Sequence, residues 1–288
     1  MYLTRFRFNT ARTEARRLLG SPHRLHGAVN MAFPEPPPRD GDGPRVLWRL
    51  DQAPTGRVDL LVSSPSRPDL THLVEQAGWP SLGAEGWTTF AYAEFLDALA
   101  EGDVWAFRLT ANPVHHIRRD SDAPGTPTKR TAHVTPRHQI GWLLKHQERA
   151  GFAVLRSPAR AVEETVLAGP RDAAASGTTG AGPAPEAGTA GARGGAADEA
   201  AAQGPYELVV HDRTPVRFGK PSGGPDAVAL TRGRHAPGGR DLDVRFARAT
   251  FDGKLRITDL TAFRRTLTHG LGKAKAYGCG LMTLAPVR

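Results

Sequence analysis

Met1-Tyr2-Leu3-Thr4-Arg5-Phe6-Arg7-Phe8 opens the chain, and Ser21-Pro22-His23-Arg24-Leu25-His26-Gly27-Ala28-Val29-Asn30-Met31-Ala32-Phe33-Pro34 follows it. In the first stretch Tyr2, Thr4, Phe6 and Phe8 alternate with Leu3, Arg5 and Arg7, the period of a strand with one buried face. In the second, Ser21 is a good N-cap and Pro22 suits the first helical position. Pro34, with Pro36-Pro37-Pro38 beyond it, ends the helix. Leu25, Val29, Ala32 and Phe33 form the buried stripe. A strand feeding an amphipathic helix is half of a split βαβ unit, and the rest of the chain decides which one.

Outward from there, Arg45–Leu50 and Arg57–Val62 read as two strands joined by a turn at Pro54-Thr55-Gly56. Asp69–Ala77 reads as a short helix and Trp87–Phe95 as a fourth strand. The order βαββαβ predicts a ferredoxin-like sandwich. It then repeats. Trp105, Phe107 and Leu109 alternate in a strand that continues toward Val114. Thr135-Pro136 opens a helix with Ile140, Leu143 and Leu144 inward, and Gly151 closes it. Phe152–Leu155 is a strand, as is Val244–Phe251, which a turn at Asp252-Gly253 ends. Asp259 caps a helix with Leu260, Phe263 and Leu267 inward, and Leu281–Leu284 is the last strand.

The expected fold is therefore α+β: two tandem ferredoxin-like (RRM-like) βαββαβ domains, residues 1–98 and 105–288, with a linker at 99–104. Residues 168–204 interrupt the second domain. They hold no aromatic residue and no Val, Leu or Ile, so they have almost nothing to bury and read as a flexible insertion. In Tyr206–Arg240, Tyr206–Val210 suits a strand. Arg213, Arg217, Lys220, Arg232, Arg234 and Arg240 put cations on either a solvated loop or a hairpin arm.

The 288 residues carry a formal net charge of +9. That favours a polyanionic partner without separating nucleic acid from acidic lipid. No run of about 18 apolar residues is present to span a membrane, and no apolar signal-peptide core follows the first strand. The single cysteine, Cys279, excludes an intrachain disulfide and a cysteine-rich zinc site, which fits a cytoplasmic setting. GxSxG, HExxH, CxxC and Walker patterns are absent, and no helix-turn-helix pattern appears. Neither a metal nor a cofactor is expected.

On an ideal helix His23, His26 and Asn30 share a face away from Leu25 and Val29. Two imidazoles there can divide the general-base and general-acid roles of a phosphodiester transesterification, since RNA brings its own 2′-hydroxyl nucleophile. The same spacing also describes the wet face of an amphipathic helix, and both readings stand at this point. The second candidate segment is Gly270-Leu-Gly272-Lys273-Ala-Lys275-Ala-Tyr-Gly278-Cys-Gly280. Gly270 falls where a helix C-cap belongs, and the other glycines permit close backbone approach while Lys273 and Lys275 bring charge. It can hold a sugar–phosphate backbone or serve as a tight turn. From Lys254 to Arg288 seven Lys/Arg face one acid, Asp259. Arg24, Arg118, Arg119, Lys129 and Arg130 are further candidates for phosphate contacts, whereas His115-His116 reads as part of a solvated basic loop.

Four segments carry a family resemblance: Met1-Tyr2-Leu3-Thr4, Leu25-His26 through Phe33-Pro34, Phe107-Arg108-Leu109-Thr110-Ala111-Asn112-Pro113, and Gly270–Pro286. Together they resemble the CasE family, the CRISPR-associated endoribonucleases of the type I-E Cascade system. The resemblance implies tandem ferredoxin-like domains and metal-independent cutting of precursor CRISPR RNA at the 3′ base of the repeat stem-loop. It implies 2′,3′-cyclic phosphate and 5′-hydroxyl ends, and a product kept by the enzyme as a subunit of Cascade. His26 matches the family's catalytic histidine by its place in the first helix. A tyrosine often stands three residues earlier, and here that place is His23. Gly270, Gly272, Gly278 and Gly280 match the family's loop. The alternative is an RNA-binding scaffold subunit that does not cut.

Overall fold

The computed structural model describes residues 1–35, 42–79, 86–117, 129–157, 205–220 and 242–287. The insertion at 168–204 lies outside them, as do Arg118, Arg119, Arg232, Arg234 and Arg240.

The first half holds strands β1 (Tyr2–Arg7), β2 (Leu47–Gln52), β3 (Val58–Ser64) and β4 (Trp87–Ala91), with helices α1 (Thr13–Leu19), α2 (Pro22–Asn30) and α3 (Thr71–Ala77). The strands lie in the order β2-β3-β1-β4, all antiparallel. With two crossings over one face this is the ferredoxin-like arrangement. The alternation in β1 sets its register: Thr4 and Phe6 point into the core opposite Val62 and Leu60, while Arg5 and Arg7 are exposed. Phe6, Leu25, Val29, Leu60, Val62 and Leu73 fill that core, each essentially inaccessible to solvent. Each such side chain contributes about 1.5–3 kcal/mol.

Helix α2 starts as its sequence predicts: the Ser21 hydroxyl accepts the Arg24 N–H at 3.4 Å, with Pro22 next in line. It is the second helix of the chain, because Thr13–Leu19 also forms one, burying Ala15 and Leu18. Just before that helix, the Arg12 guanidinium donates to the carbonyls of Val74, Glu75 and Gly78, closing the C-terminal end of α3.

Trp87–Phe95, expected as one strand, changes character at Tyr92. Helix α4 (Tyr92–Ala98) follows β4 directly, because Tyr92 and Leu96 at i and i+4 both bury into the second core. Arg264 closes its far end through the Leu96 and Asp97 carbonyls, at 2.8 and 3.0 Å.

The second half repeats the order of the first. Strands β5 (Val104–Ala111), β8 (Phe152–Val154), β10 (Leu242–Ile257) and β11 (Met282–Pro286) lie as β11-β5-β10-β8, with helices α5 (Pro136–Gln147) and α6 (Leu260–His269) in the crossings. Asp259 caps α6 by accepting the Ala262 N–H at 2.9 Å. The expected turn at Asp252-Gly253 does not form, and β10 runs straight through it. Asp252 faces Arg108 across the sheet, 2.6 Å away, and a side chain at Gly253 would sit 2.5 Å from the Glu207 carbonyl. The glycine serves close approach of a neighbouring chain here, not reversal.

Further strands extend the second sheet and form a third. Beyond β8 the flank of β10 is taken by β9 (Leu208–Lys220), so this part of Tyr206–Arg240 is a strand of an arm, while residues 221–240 lie outside the described residues. Val114–Ile117 (β6) and Lys129–Ala132 (β7) pair as a separate two-stranded sheet. His115 thus lies on a strand, not in a loop, and its ring stacks on His133 at 4.2 Å.

Candidate nucleic-acid interface

The two halves meet at β2. Arg49, expected only as part of a strand, is buried to 1 % exposure. Its guanidinium grips the Asp51 carboxylate at 2.7 and 2.9 Å and donates to the Arg108 and Leu281 carbonyls and the Thr283 hydroxyl at 2.8, 3.1 and 2.8 Å. The first sheet is thereby fixed to β5 and β11 of the second. A buried arginine is tolerated because each of its donors finds an acceptor.

That seam carries the glycine-rich loop onto the first domain. Gly270 ends α6 at φ +75°, and the Leu271 N–H donates to the Gly280 carbonyl at 3.0 Å, closing the loop on itself. The Gly280 N–H donates to the Thr110 carbonyl at 2.7 Å, fixing the loop to β5. At Gly278 (φ +78°) a Cβ would stand 2.7 Å from the ring of buried Trp48 on β2, so only glycine lets the backbone lie on that ring. Between left-handed Ala274 and Gly278, residues Lys275–Tyr277 make one 3-10 turn.

This turn meets α2. The Tyr277 ring approaches the His26 imidazole edge-on, with centroids 6.2 Å apart, and His26 Nε2 lies 3.3 Å from the Asn30 amide nitrogen. The expected face of His23, His26 and Asn30 is real: all three are half-buried, while Leu25, Ala28 and Val29 are buried beneath. Nδ1 of both histidine rings is shielded from solvent. Arg24 is exposed on the same helix.

On its other side Tyr277 packs against Phe218 of β9 and Phe246 of β10, at 4.9 and 6.0 Å between centroids. Sequence reasoning missed this aromatic set. The signal was present in Val216-Arg217-Phe218 and Val244-Arg245-Phe246, two strand segments with the same alternation. Their register sets Phe218 opposite Val244 and Val216 opposite Phe246. One face of the arm is then apolar and turned to the loop. The other shows exposed Arg217 and Arg245, which share Asp243 at 3.1 and 2.7 Å.

Of the remaining candidates, Lys273 is exposed and Lys275 half-buried. Burial pushes the Lys275 ammonium down to about 8, helped by the cations Arg45, Lys273 and Arg265. Burial also raises the Tyr277 phenol. Lys129 and Arg130 lie on β7, paired in register with Ile117 and His116, in the separate hairpin. Among the described residues no group of three or more His, Cys, Asp or Glu is arranged to hold a metal ion, and no helix is long and apolar enough to cross a membrane.

Two ferredoxin-like units joined along one seam, with a histidine-bearing helix pressed to a cationic glycine-rich loop, define a class of protein. A family profile described as CRISPR associated protein matches residues 1–286, and the chain belongs to that family. Within it the chain is of the CasE kind that its motifs resemble. It is 25% identical over 287 residues to the CRISPR-associated endoribonuclease Cse3 of Thermus thermophilus, covering 99% of this chain and 100% of that protein. Among the solved structures that share the fold are two with bound RNA. One is a CRISPR endoribonuclease Cse3 bound to 19 nt RNA (TM-score 0.60, 22% identity, 99% of this chain and 100% of that one). The other is Thermus thermophilus Cse3 bound to an RNA representing a pre-cleavage complex (TM-score 0.60, 23% identity, 99% and 98%).

Proposed function

We propose that this protein is an endoribonuclease of CRISPR RNA processing. It cuts precursor CRISPR RNA at the base of the repeat stem-loop and keeps the mature product as a subunit of Cascade. The observation that carries the reading is the meeting of His26 with the glycine-rich loop. It sets a titratable imidazole beside a cationic, backbone-rich surface suited to a phosphodiester. The full-length likeness to a named endoribonuclease supports it.

The chemistry is an internal transesterification. The ribose 2′-oxygen attacks the adjacent phosphorus, the P–O5′ bond breaks, and a 2′,3′-cyclic phosphate and a 5′-hydroxyl result. One proton leaves the 2′-hydroxyl and one must reach the departing O5′. His26 exchanges one of these protons at Nε2, where the RNA would take the place of the Asn30 amide now 3.3 Å away. His23, one turn earlier on the same face, is the candidate for the other proton or for holding the phosphate. The loop's amides supply donors for charge developing on the phosphate, in the field of Lys273 and Lys275.

The test is cleavage of the repeat RNA from the same locus in excess EDTA, with wild type beside His26→Ala. The variant should lose about a hundredfold or more in rate while stem-loop affinity stays within a few-fold. A 2′-deoxy nucleotide at the scissile position should abolish cutting. Cleavage that needs added metal or survives the deoxy substitution rules out this mechanism. A wild-type protein that binds but never cuts is an RNA-holding scaffold subunit instead.

A further inference from the structure

Residues 42–45 cross the last turn of α6. The Arg45 N–H donates to the Thr268 carbonyl at 3.1 Å, and His269 Nε2 lies 2.8 Å from the Asp42 carbonyl. The Arg265 guanidinium pairs with the Asp42 carboxylate at 3.1 Å, a contact at the open surface where Asp42 is 96% exposed. This crossing sets the Arg45 backbone on the Thr268 carbonyl, three residues along α6 from Arg265. The glycine-rich loop leaves the same helix end and folds back so that the Lys275 stem lies along Gly280, where a Cβ would come within 3.2 Å of Lys275 Cγ.

Among the described residues, the charged neighbours acting on Lys275 are the cations Arg45, Lys273 and Arg265. Four positive groups from three separate segments therefore share one surface, with Asp42 as the acid paired at its edge. Like charges so gathered repel one another, and a bound anion relieves the repulsion. Lys275 stands two residues from Tyr277, a chain distance of at most about 7 Å, or roughly one nucleotide step from the ring that His26 faces.

We infer that Arg45, Arg265, Lys273 and Lys275 form a subsite for a second phosphodiester of the RNA strand, adjoining the one that His26 faces. The inference rests on the ribonuclease reading and names a further part of the same substrate surface. Guanidinium forks from Arg45 and Arg265 take a phosphate's oxygens in pairs, and the two lysines add point charges. The subsite sets the register of the strand, so that the scissile bond and no neighbour is offered to His26.

The experiment uses full-length protein and the repeat stem-loop carrying the 2′-deoxy block, so that binding is read without cutting. Arg45→Gln and Arg265→Gln should each weaken binding roughly tenfold at about 0.1 M salt and lower the salt slope by about one unit. Asp42→Asn, which frees Arg265, should tighten binding, a result that a merely structural arginine would not produce. Arg45→Lys and Arg265→Lys should recover most of the slope. A scan of single neutral methylphosphonates should find one linkage whose neutralisation weakens wild type but not the double glutamine variant. Unchanged slopes, or a scan identical in wild type and double variant, overturn the subsite while leaving the His26 chemistry standing. Loss of the His26 requirement for cleavage would instead overturn the reading beneath it.

Discussion

The ring planes of His26 and Tyr277 meet at 71°, the edge of one toward the face of the other, across 251 positions of sequence. Through Tyr277 the histidine is in contact with Phe218 and Phe246, and so with the hairpin arm. Helix α2, loop and arm therefore share one aromatic contact point. Tyr277→Phe keeps every ring contact and should change cleavage and affinity by less than about threefold. Tyr277→Ala removes three aromatic contacts of about 0.5–1.5 kcal/mol each, part of which solvent exposure recovers. It should cost about 1–2 kcal/mol of stability in urea unfolding and slow cleavage about tenfold. Equal cleavage by the alanine and phenylalanine variants would mean that the ring does not position His26.

The Arg49 clamp gives a second prediction. Replacing Arg49 with Met keeps the length and apolar stem but leaves Asp51 and the Arg108 and Leu281 carbonyls without their shared donor. Breaking one side of a buried pair costs about 3–5 kcal/mol. Some of that is recovered here because the Asp51 side chain is 25% exposed. The expected loss is about 3 kcal/mol in denaturant titration, with separation of the two sheets as the first step. Arg49→Lys should recover less than half of it, since one ammonium cannot reach acceptors spread across a planar fork. An Arg49→Met protein as stable as wild type would show that the seam is held elsewhere.

Local signals in the sequence were sufficient for much of this architecture. Ser21-Pro22, Asp259 and Gly270 act within a few residues of themselves, so their caps are visible before any tertiary contact exists. Alternation in Tyr2–Phe8 did the same for β1. Tertiary contacts decided the remainder. Trp87–Phe95 breaks at Tyr92 because the second domain's core claims Tyr92 and Leu96, a demand invisible in a short apolar run. Asp252-Gly253 has the composition of a turn, yet Arg108 and the Glu207 backbone hold it extended. At the candidate site the two segments that come together, α2 and the loop, were each legible alone. Their contact depends on Gly278 lying on Trp48, which no spacing rule predicts.

A third prediction concerns residues 168–204. The chain leaves toward them at Ser157 and returns at Pro205, and these ends are already hydrogen-bonded: Ser157 N–H to the Pro205 carbonyl at 2.7 Å, Glu207 N–H to the Leu155 carbonyl at 2.8 Å. A shorter connection closes the same gap, and loop-closure entropy changes only slowly with length. Deleting 168–204 should therefore shift the melting temperature by no more than about 2 °C and leave the cleavage rate within about twofold. A deletion protein that fails to fold would show that this segment packs against the domain.

The last prediction follows from Lys275. Its folded value of about 8 lies below the ordinary 10.5, so between those values the unfolded chain binds more protons than the folded one. The lysine therefore weakens the free protein at low pH, and its contribution to stability rises as pH climbs from about 8 toward 10.5. RNA binding runs the other way, because a phosphate stabilises the ammonium that burial disfavours. Affinity for the 2′-deoxy-blocked stem-loop should fall as pH rises from 7 to 9, and protons should be taken up on binding near pH 8. Lys275→Arg keeps the charge throughout this range and should flatten the affinity profile. If wild type and Lys275→Arg instead lose affinity in parallel, the titrating group lies elsewhere and Lys275 takes no phosphate.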